Sequence, residues 1–284
     1  KMFRQKSFEN DINTLYLVAT PIGNLAEFSF RAIDILKTVD VIACEDTRTT
    51  MTLLNHYNIE TPLISHHSHN EESSVLGIMK LLDSGKNVAL VSDAGYPLIS
   101  DPGNLLVSTC IKAGYNVVPV SGPSAFINAL VSSGIISQPF LFHGFLPSTN
   151  KQLRRMLKEY QYFSYTMIFY VSVHKLSTAL EEMITVFGDR EACLAREMTK
   201  KHEEFLRGRL SEILEVSSDL KGEFVLIVKG NPHEKEADIA EIDVATLIDE
   251  LVEQGFSASQ AIKEIAKKHN LSKNEVYDKY HHTS

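Results

Sequence analysis

Two aspartates, two glycines and two prolines crowd the string SDAGYPLISDPG at 92–103, directly after the apolar run VALV. Such a composition ends a strand abruptly and holds the backbone that follows in tight turns. Three related strings occur nearby: TPIGN at 20–24, EDTR at 45–48 and SGPSA at 121–125. Gly23, Gly95, Gly103 and Gly122 would let backbone approach a ligand closely, while each proline stiffens its loop. The dinucleotide pattern G-x-G-x-x-G and the P-loop pattern G-x-x-x-x-G-K-[ST] are both absent. The loops therefore offer carboxylates and backbone amides rather than a phosphate cradle. That chemistry suits a ligand bearing hydroxyls, an amino group or a positive centre.

The elements that must carry these loops follow from the hydrophobic pattern. Apolar runs at 15–19, 41–43, 88–91 and 117–120 predict short buried strands, and amphipathic stretches at 31–37, 47–54, 73–82 and 105–113 predict helices between them. This βαβ alternation gives a parallel sheet covered on both faces, an N-terminal α/β domain over 12–124. In open sheets of this kind ligands bind beyond the carboxyl ends of the strands, where all four strings fall. Strands at 140–143, 166–171, 192–196 and 223–228, with helices at 153–160 and 176–187, predict a second α/β domain over 125–232, mixed in strand direction. The polar, acidic stretch KGNPHEKEADIAEID reads as a linker. Beyond it, apolar stripes on Val244, Leu247, Ile248 and Leu251, then Ala261, Ile262 and Ile265, then Val276, Tyr277 and Tyr280 predict three helices over 243–284. Gly255 ends the first, and capping boxes Ser257 with Gln260 and Ser272 with Glu275 open the other two. The arrangement resembles a helix-turn-helix, which is either an RNA-recognition module or a packing module.

No apolar run approaches the ~20 residues that span a bilayer, and the charged start KMFRQKSFEN lacks an apolar signal core, so a cytoplasmic protein without a membrane partner is expected. Cys44, Cys110 and Cys193 are odd in number and widely spaced, which indicates neither a disulfide framework nor a zinc site. His67 and His69 alternate beside Glu71 and Glu72, but the spacing fits no standard zinc pattern and no metal is expected. The formal net charge of −8 argues against indiscriminate nucleic-acid binding, which rewards many clustered Lys and Arg side chains. A local patch remains: Lys151, Arg154, Arg155 and Lys158 fall at i, i+3, i+4 and i+7, on one helix face, either for RNA or simply for water.

The strings LYLVATPIGNL, VIACEDTR, VSDAGYPLISDPG, PVSGPSA and FHGFLP, followed by REMTKKHEEFLRG and GEFVLIVKG, resemble in order the tetrapyrrole methylase family, in its branch of bacterial small-subunit ribosomal RNA methyltransferases. The resemblance runs from about Leu15 to the end. It implies two α/β domains with S-adenosylmethionine in the cleft between them, a homodimer, and transfer of methyl to the ribose 2′-hydroxyl of a cytidine in the decoding region of small-subunit ribosomal RNA. On this reading Pro21, Gly23, Asp93, Ala94, Gly95, Asp101, Ser121, Gly122, Pro123 and Ser124 bind the cofactor. Asp93 leads that set, whereas SDPG around Asp101 is also a good helix-start signal. Displacement at a sulfonium needs alignment above all, with a base helping because a ribose hydroxyl is a weak acid. Glu45, Asp46 and Arg48, with Glu197 and Lys200, are the candidates for that work; a structural ion pair explains EDTR equally well.

Two strings depart from the family. Tyr96 stands where a small or apolar residue is usual. FYVSVHKL replaces F-Y-E-S-P-H-R, so that Val171, Val173 and Lys175 take the places of a carboxylate, a proline and an arginine while His174 keeps register. Loss of carboxylate and guanidinium together suggests loss of an ion pair as a unit. Two alternatives to the ribosomal RNA enzyme follow: methylation of a tetrapyrrole or other small acceptor by the same fold, and an RNA-binding or assembly protein with reduced catalysis.

Overall fold

A computed structural model describes residues 2–67, 71–231, 244–268 and 272–282. The chain forms two compact units, one of residues 1–161 with 165–230 and one of 162–164 with 231–284. Both α/β segments expected from the sequence, 12–124 and 125–232, contribute their sheets to the first unit.

The first sheet is built from β1 (Thr14–Val18), β2 (Val41–Cys44), β3 (Leu63–Ser65), β4 (Val88–Val91) and β5 (Asn116–Val120) in the order β3-β2-β4-β1-β5. Every pairing is parallel, and β2 and β4 are buried at every residue, as strands covered on both faces must be. Between the strands run α1 (Phe30–Thr38), α2 (Thr47–His56), α3 (Glu71–Asp83) and α4 (Asn104–Ala113). Leu36 and Leu54 pack on one face of the sheet, Ile78, Leu82 and Leu106 on the other. Local chemistry sets the helix ends. Ser29 Oγ accepts from Ala32 N at 3.1 Å to start α1, and Gly114, at φ 86°, closes α4 in a left-handed turn that a side chain would resist. β2 connects outward to β3 while β4 crosses β1 to reach β5, so the connections diverge between β2 and β4. A crevice opens there at the carboxyl ends.

The second sheet joins β6 (Phe140–Phe145), β7 (Thr166–Ser172), β8 (Glu191–Arg196), β9 (Glu204–Arg209) and β10 (Glu223–Val228) in the order β6-β7-β10-β8-β9. Only β6 and β7 pair in parallel; the other pairings are antiparallel. Mixed direction is therefore as the sequence suggested. Helices α5 (Ala125–Ser132), α6 (Asn150–Tyr160), α7 (Leu176–Phe187) and α8 (Leu210–Val216) belong to this half. Ala129 and Leu130 of α5 pack on Ile168, Cys193, Ala195, Val225 and Ile227. Four elements are absent from the sequence reading: β3, α5, β9 and α8. β3 has three residues, and β9 is a half-exposed edge strand, EFLRGR, whose charges hide its alternation.

The second unit holds α9 (Val244–Glu253), α10 (Ala258–Lys268) and α11 (Lys273–His282) around Val244, Ile248, Ala261, Ile262, Ile265, Ala266 and Val276. Both capping boxes form. Gln260 N donates to Ser257 Oγ at 3.3 Å while Ser257 N donates to Gln260 Oε1 at 3.0 Å, and Ser272 with Glu275 repeats the exchange. Tyr277 departs from its expected stripe: it is 54% exposed, whereas Tyr280 packs on the core and donates to Asp249. Most of the expected linker, 232–243, and His69 lie outside the described residues.

Candidate active site

The loop after β4 is clipped to the loop after β1 before either meets a ligand. Thr20 N donates to Gly95 O at 2.9 Å and Gly95 N to Thr20 O at 3.0 Å, an isolated antiparallel bridge. Thr20 Oγ1 adds a bond to Ser92 O at 3.1 Å, and Ser92 Oγ one to Gly95 O at 2.9 Å. Tyr96, the residue that departs from the family, accepts from Gly122 N at 3.2 Å and so ties in the loop after β5. Gly122 itself sits against β1, where an added Cβ would come within 2.9 Å of Ala19 Cβ.

Beyond these loops lies a cavity of about 430 Å³. Its N-terminal wall carries Asp93, Ala94, Gly95, Tyr96, Asp101 and Ser124. The opposite wall comes from the second half: Phe145 of β6, Tyr170 and Val171 of β7, Val173 beyond it, Glu197 and Lys200 after β8, and Gly222 to Val225 at the start of β10. One wall thus sets Asp93 and Asp101 among small residues, and the other sets aromatic and apolar side chains beside Glu197, Glu223 and Lys200. Volume and lining both match small-ligand pockets, typically ~300–1,000 Å³ and mostly apolar with a few placed polar groups.

Asp93 Oδ1 accepts from Asp46 N at 3.4 Å across the crevice between β2 and β4. Partial burial pushes its carboxyl above the usual range, with the Asp46 carboxylate adding to the rise. Asp101 is pushed further, to about 6, by burial and then by the carboxylates of Glu45 and Asp93. Opposite, burial raises Tyr170 to about 12, so its hydroxyl stays protonated as a donor. Glu197 stands at a left-handed φ of 49° and Thr199 at 69°, in the turn between β8 and β9. Glu197 Oε1 accepts from Lys200 Nζ at 3.3 Å and from Glu223 N at 3.4 Å, and Lys200 Nζ also lies 3.5 Å from Glu223 Oε2. The Lys200 stem lies across Gly23, where a Cβ would stand 2.7 Å from Lys200 Cγ. Gly23 is thus a spacer for Lys200 rather than a cavity wall.

Residues 14–214 match the Tetrapyrrole (Corrin/Porphyrin) Methylases. The chain belongs to the tetrapyrrole methylase family. It is 47% identical to the Ribosomal RNA small subunit methyltransferase I of Bacillus subtilis (strain 168), covering 98% of each chain, and 43% identical to the protein of that name from Halalkalibacterium halodurans, covering 99% of each. Among solved structures, diphthine synthase matches with a TM-score of 0.59 at 12% identity, covering 76% of this chain and 90% of that one, a likeness of fold alone.

The methylase brings together Asp93, Ala94, Gly95, Asp101 and Ser124 of the expected cofactor set with Glu197 and Lys200 of the expected catalytic set. Pro21, Gly23, Ser121, Gly122 and Pro123 are not part of that lining. Glu45, Asp46 and Arg48 are outside it as well. Asp46 caps α2 through a 2.8 Å bond from Arg48 N, and the 90%-exposed Arg48 guanidinium folds back on it at 3.0 Å. That pair holds the Asp46 carboxyl below its usual range. Lys151, Arg154, Arg155 and Lys158 do share the exposed face of α6, yet Arg154 is engaged in a two-point pair with Glu182 of α7, at 2.8 and 2.5 Å. The three departures in FYVSVHKL fall in two places, Val173 beside Val171 in the cavity lining and Lys175 outside it. Val171 lines the cavity, while Lys175 Nζ donates to Pro147 O at 3.0 Å. Phe145, Tyr170 and Gly222 belong to the lining and were missed in the sequence, where an aromatic in a strand reads as core. His143 donates to or accepts from Tyr160 Oη at 3.0 Å, a packing role at the β6 bulge. Among the described residues no group of three or more His, Cys, Asp or Glu is placed to hold a metal, and no helix is long and apolar enough to cross a membrane.

Proposed function

We infer that this protein is an S-adenosylmethionine-dependent methyltransferase that modifies the ribose 2′-hydroxyl of a cytidine in small-subunit ribosomal RNA. The observation that carries the reading is near-full-length identity of 47% to a ribosomal RNA small subunit methyltransferase I. The lining of the cavity fits the cofactor. Carboxylates on one wall accept bonds from hydroxyl and ammonium groups, and Phe145, Tyr170 and Phe224 offer the other wall to a flat ring or a positive centre. Gly95 stands at a φ of 78°, a left-handed conformation that glycine adopts without strain and that sets the course of the loop along the cavity. When bound, the cofactor supplies an activated methyl group on a sulfonium with a neutral leaving group.

The chain's part is alignment. Asp93, Ala94, Gly95 and Ser124 hold the cofactor from the N-terminal wall, and Glu197 with Lys200 orients the acceptor from the other. The exposed cations of α6 and the tail helices contact RNA. Exposed Val131 on α5, Ile136, and Phe140 on edge strand β6 support association into a homodimer. A cytoplasmic location accords with a ribosomal substrate. Small subunits from a strain lacking the gene, incubated with labelled cofactor, provide the test. The methyl is expected in an alkali-resistant ribose linkage. A methyl on a base, or acceptance only by a porphyrin-like compound, would overturn the reading.

A further inference from the structure

The turn that carries Asp101 is held in an unfavourable shape on purpose-built supports. Leu98 and Ser100 adopt left-handed φ of 72° and 67°, and Gly103 stands at 132°. Conformations of this kind are unfavourable for non-glycine residues and persist only where surrounding structure enforces them. The enforcement is visible. Gly103 N donates to Glu71 Oε1 of α3 at 3.3 Å, a Cβ on Gly103 would strike Leu90 Cδ2 at 2.9 Å, and Gly144 lets Ser100 Oγ approach from β6. Helix start is not the reason for this arrangement. α4 is capped by Gly103 with no side-chain bond, so Asp101 does not serve the helix whose start its sequence suggested.

Asp101 instead faces the cavity with no hydrogen bond or ion pair to any described side chain. Three charged or titratable groups act on it: Glu45 from the end of β2, Asp93 from the end of β4, and Tyr170 from β7. Lys200, the cation of the lining, is engaged with Glu197 and Glu223 rather than with Asp101. A half-buried carboxylate kept free of cations and donors, beside two other carboxylates, has a high proton affinity for its kind. Cofactor binding needs only a negative group; this one is arranged to receive a proton.

On the strength of the function proposed above, we propose that Asp101 is the general base that takes the proton from the ribose 2′-hydroxyl as methyl transfer occurs. The balance is complete. The hydroxyl oxygen forms a bond to the methyl carbon, the carbon–sulfur bond breaks with its electron pair passing to sulfur, and the hydroxyl proton goes to an Asp101 carboxylate oxygen. A base whose proton affinity lies close to working pH is the efficient choice, and such a group contributes typically ~10²–10⁴-fold.

The test measures single-turnover methylation of small subunits by wild type, Asp101→Asn and Asp101→Glu between about pH 5 and 9, beside calorimetric S-adenosylmethionine affinity. Asp101→Asn should keep cofactor affinity within about threefold, lose ~10²-fold or more in rate, and lose the acid limb that wild type shows near pH 6. Asp101→Glu should restore part of the rate. An asparagine variant as fast as wild type overturns the assignment, as does one whose cofactor affinity falls in parallel with its rate. Should that variant fail to fold, infrared titration of the wild-type carboxyl band decides. Titration near 6 with a coincident acid limb supports the role, and a flat profile across that range removes it. Wild type inert on small subunits would strike the proposed function, whereas active wild type with an equally active Asp101→Asn strikes only this inference.

Discussion

Gly222 shows how tightly the residues of the site constrain one another. It stands at φ 106°, and a Cβ on it would lie 2.4 Å from Glu197 Oε1, so alanine there opposes both backbone and neighbour. Gly222→Ala is expected to displace Glu197, lower stability by ~1–3 kcal/mol and slow methylation, checked by thermal melting and single-turnover rates. Asp93→Ala should weaken calorimetric cofactor affinity by at least tenfold, as loss of one charged hydrogen-bond acceptor of ~1.5–3 kcal/mol does, without added metal in either protein. Unaltered affinity in the folded variant would remove Asp93 from the site. Asp101 adds a prediction for stability. Its folded pKa of about 6 lies above the ordinary carboxyl value of 3.8, so the native state binds the proton more tightly than the unfolded chain. Stability from this group is therefore fully present below pH ~3.8, falls as pH rises toward 6 and stays low above it. Asp101→Asn should accordingly raise the melting temperature by a few degrees at pH 7–8 and leave it unchanged near pH 4. Scans at the two pH values check the sign.

Among the elements, α6 is the one whose sequence and structure must be read together. The i, i+3, i+4, i+7 spacing placed four cations on one face, and all four are exposed there. Tertiary packing then divides them. Arg154 reaches Glu182, a residue of α7 that is 9% exposed, and holds its carboxyl below the usual range, while Lys151 and Lys158 face water and the exposed Arg155 lies 3.6 Å from Glu159 Oε1 on the same helix. Replacing those three by alanine should reduce the salt dependence of RNA binding by a log–log slope of about 2–3, since each phosphate contact contributes roughly one released counterion. Arg154→Ala should instead lower the melting temperature, because it strands the Glu182 carboxylate. Filter binding at several salt concentrations and thermal melts separate the two outcomes.

At the scale of the whole chain, the two compact units permit a division of labour that truncation can test. Both walls of the cavity belong to the first unit, so deleting residues after ~240 should leave cofactor affinity intact while lowering RNA binding and methylation. Equal methylation rates with and without the tail, at matched salt, would show that the tail packs rather than reads RNA. The parallel direction of the first sheet, the four loops at the carboxyl ends of its strands, the mixed second sheet and the capped tail helices were legible in the chain, because each rests on local rules: alternation of apolar runs, turn-forming residues and caps; the order of the strands was not. The partition of the loops was not legible. EDTR and SDPG look alike as charged turn strings, yet one closes on itself as a helix cap and the other is held open toward a cavity. That difference depends on Glu71, Gly144 and Tyr170, residues far apart in sequence and brought together only by packing. The aromatic wall was hidden for the same reason, since nothing in FYV tells a residue facing core from one facing a ligand. Local sequence determined which elements form and where ligands can bind; the long-range approach of the second half to the first decided which carboxylates are desolvated, and with them the chemistry.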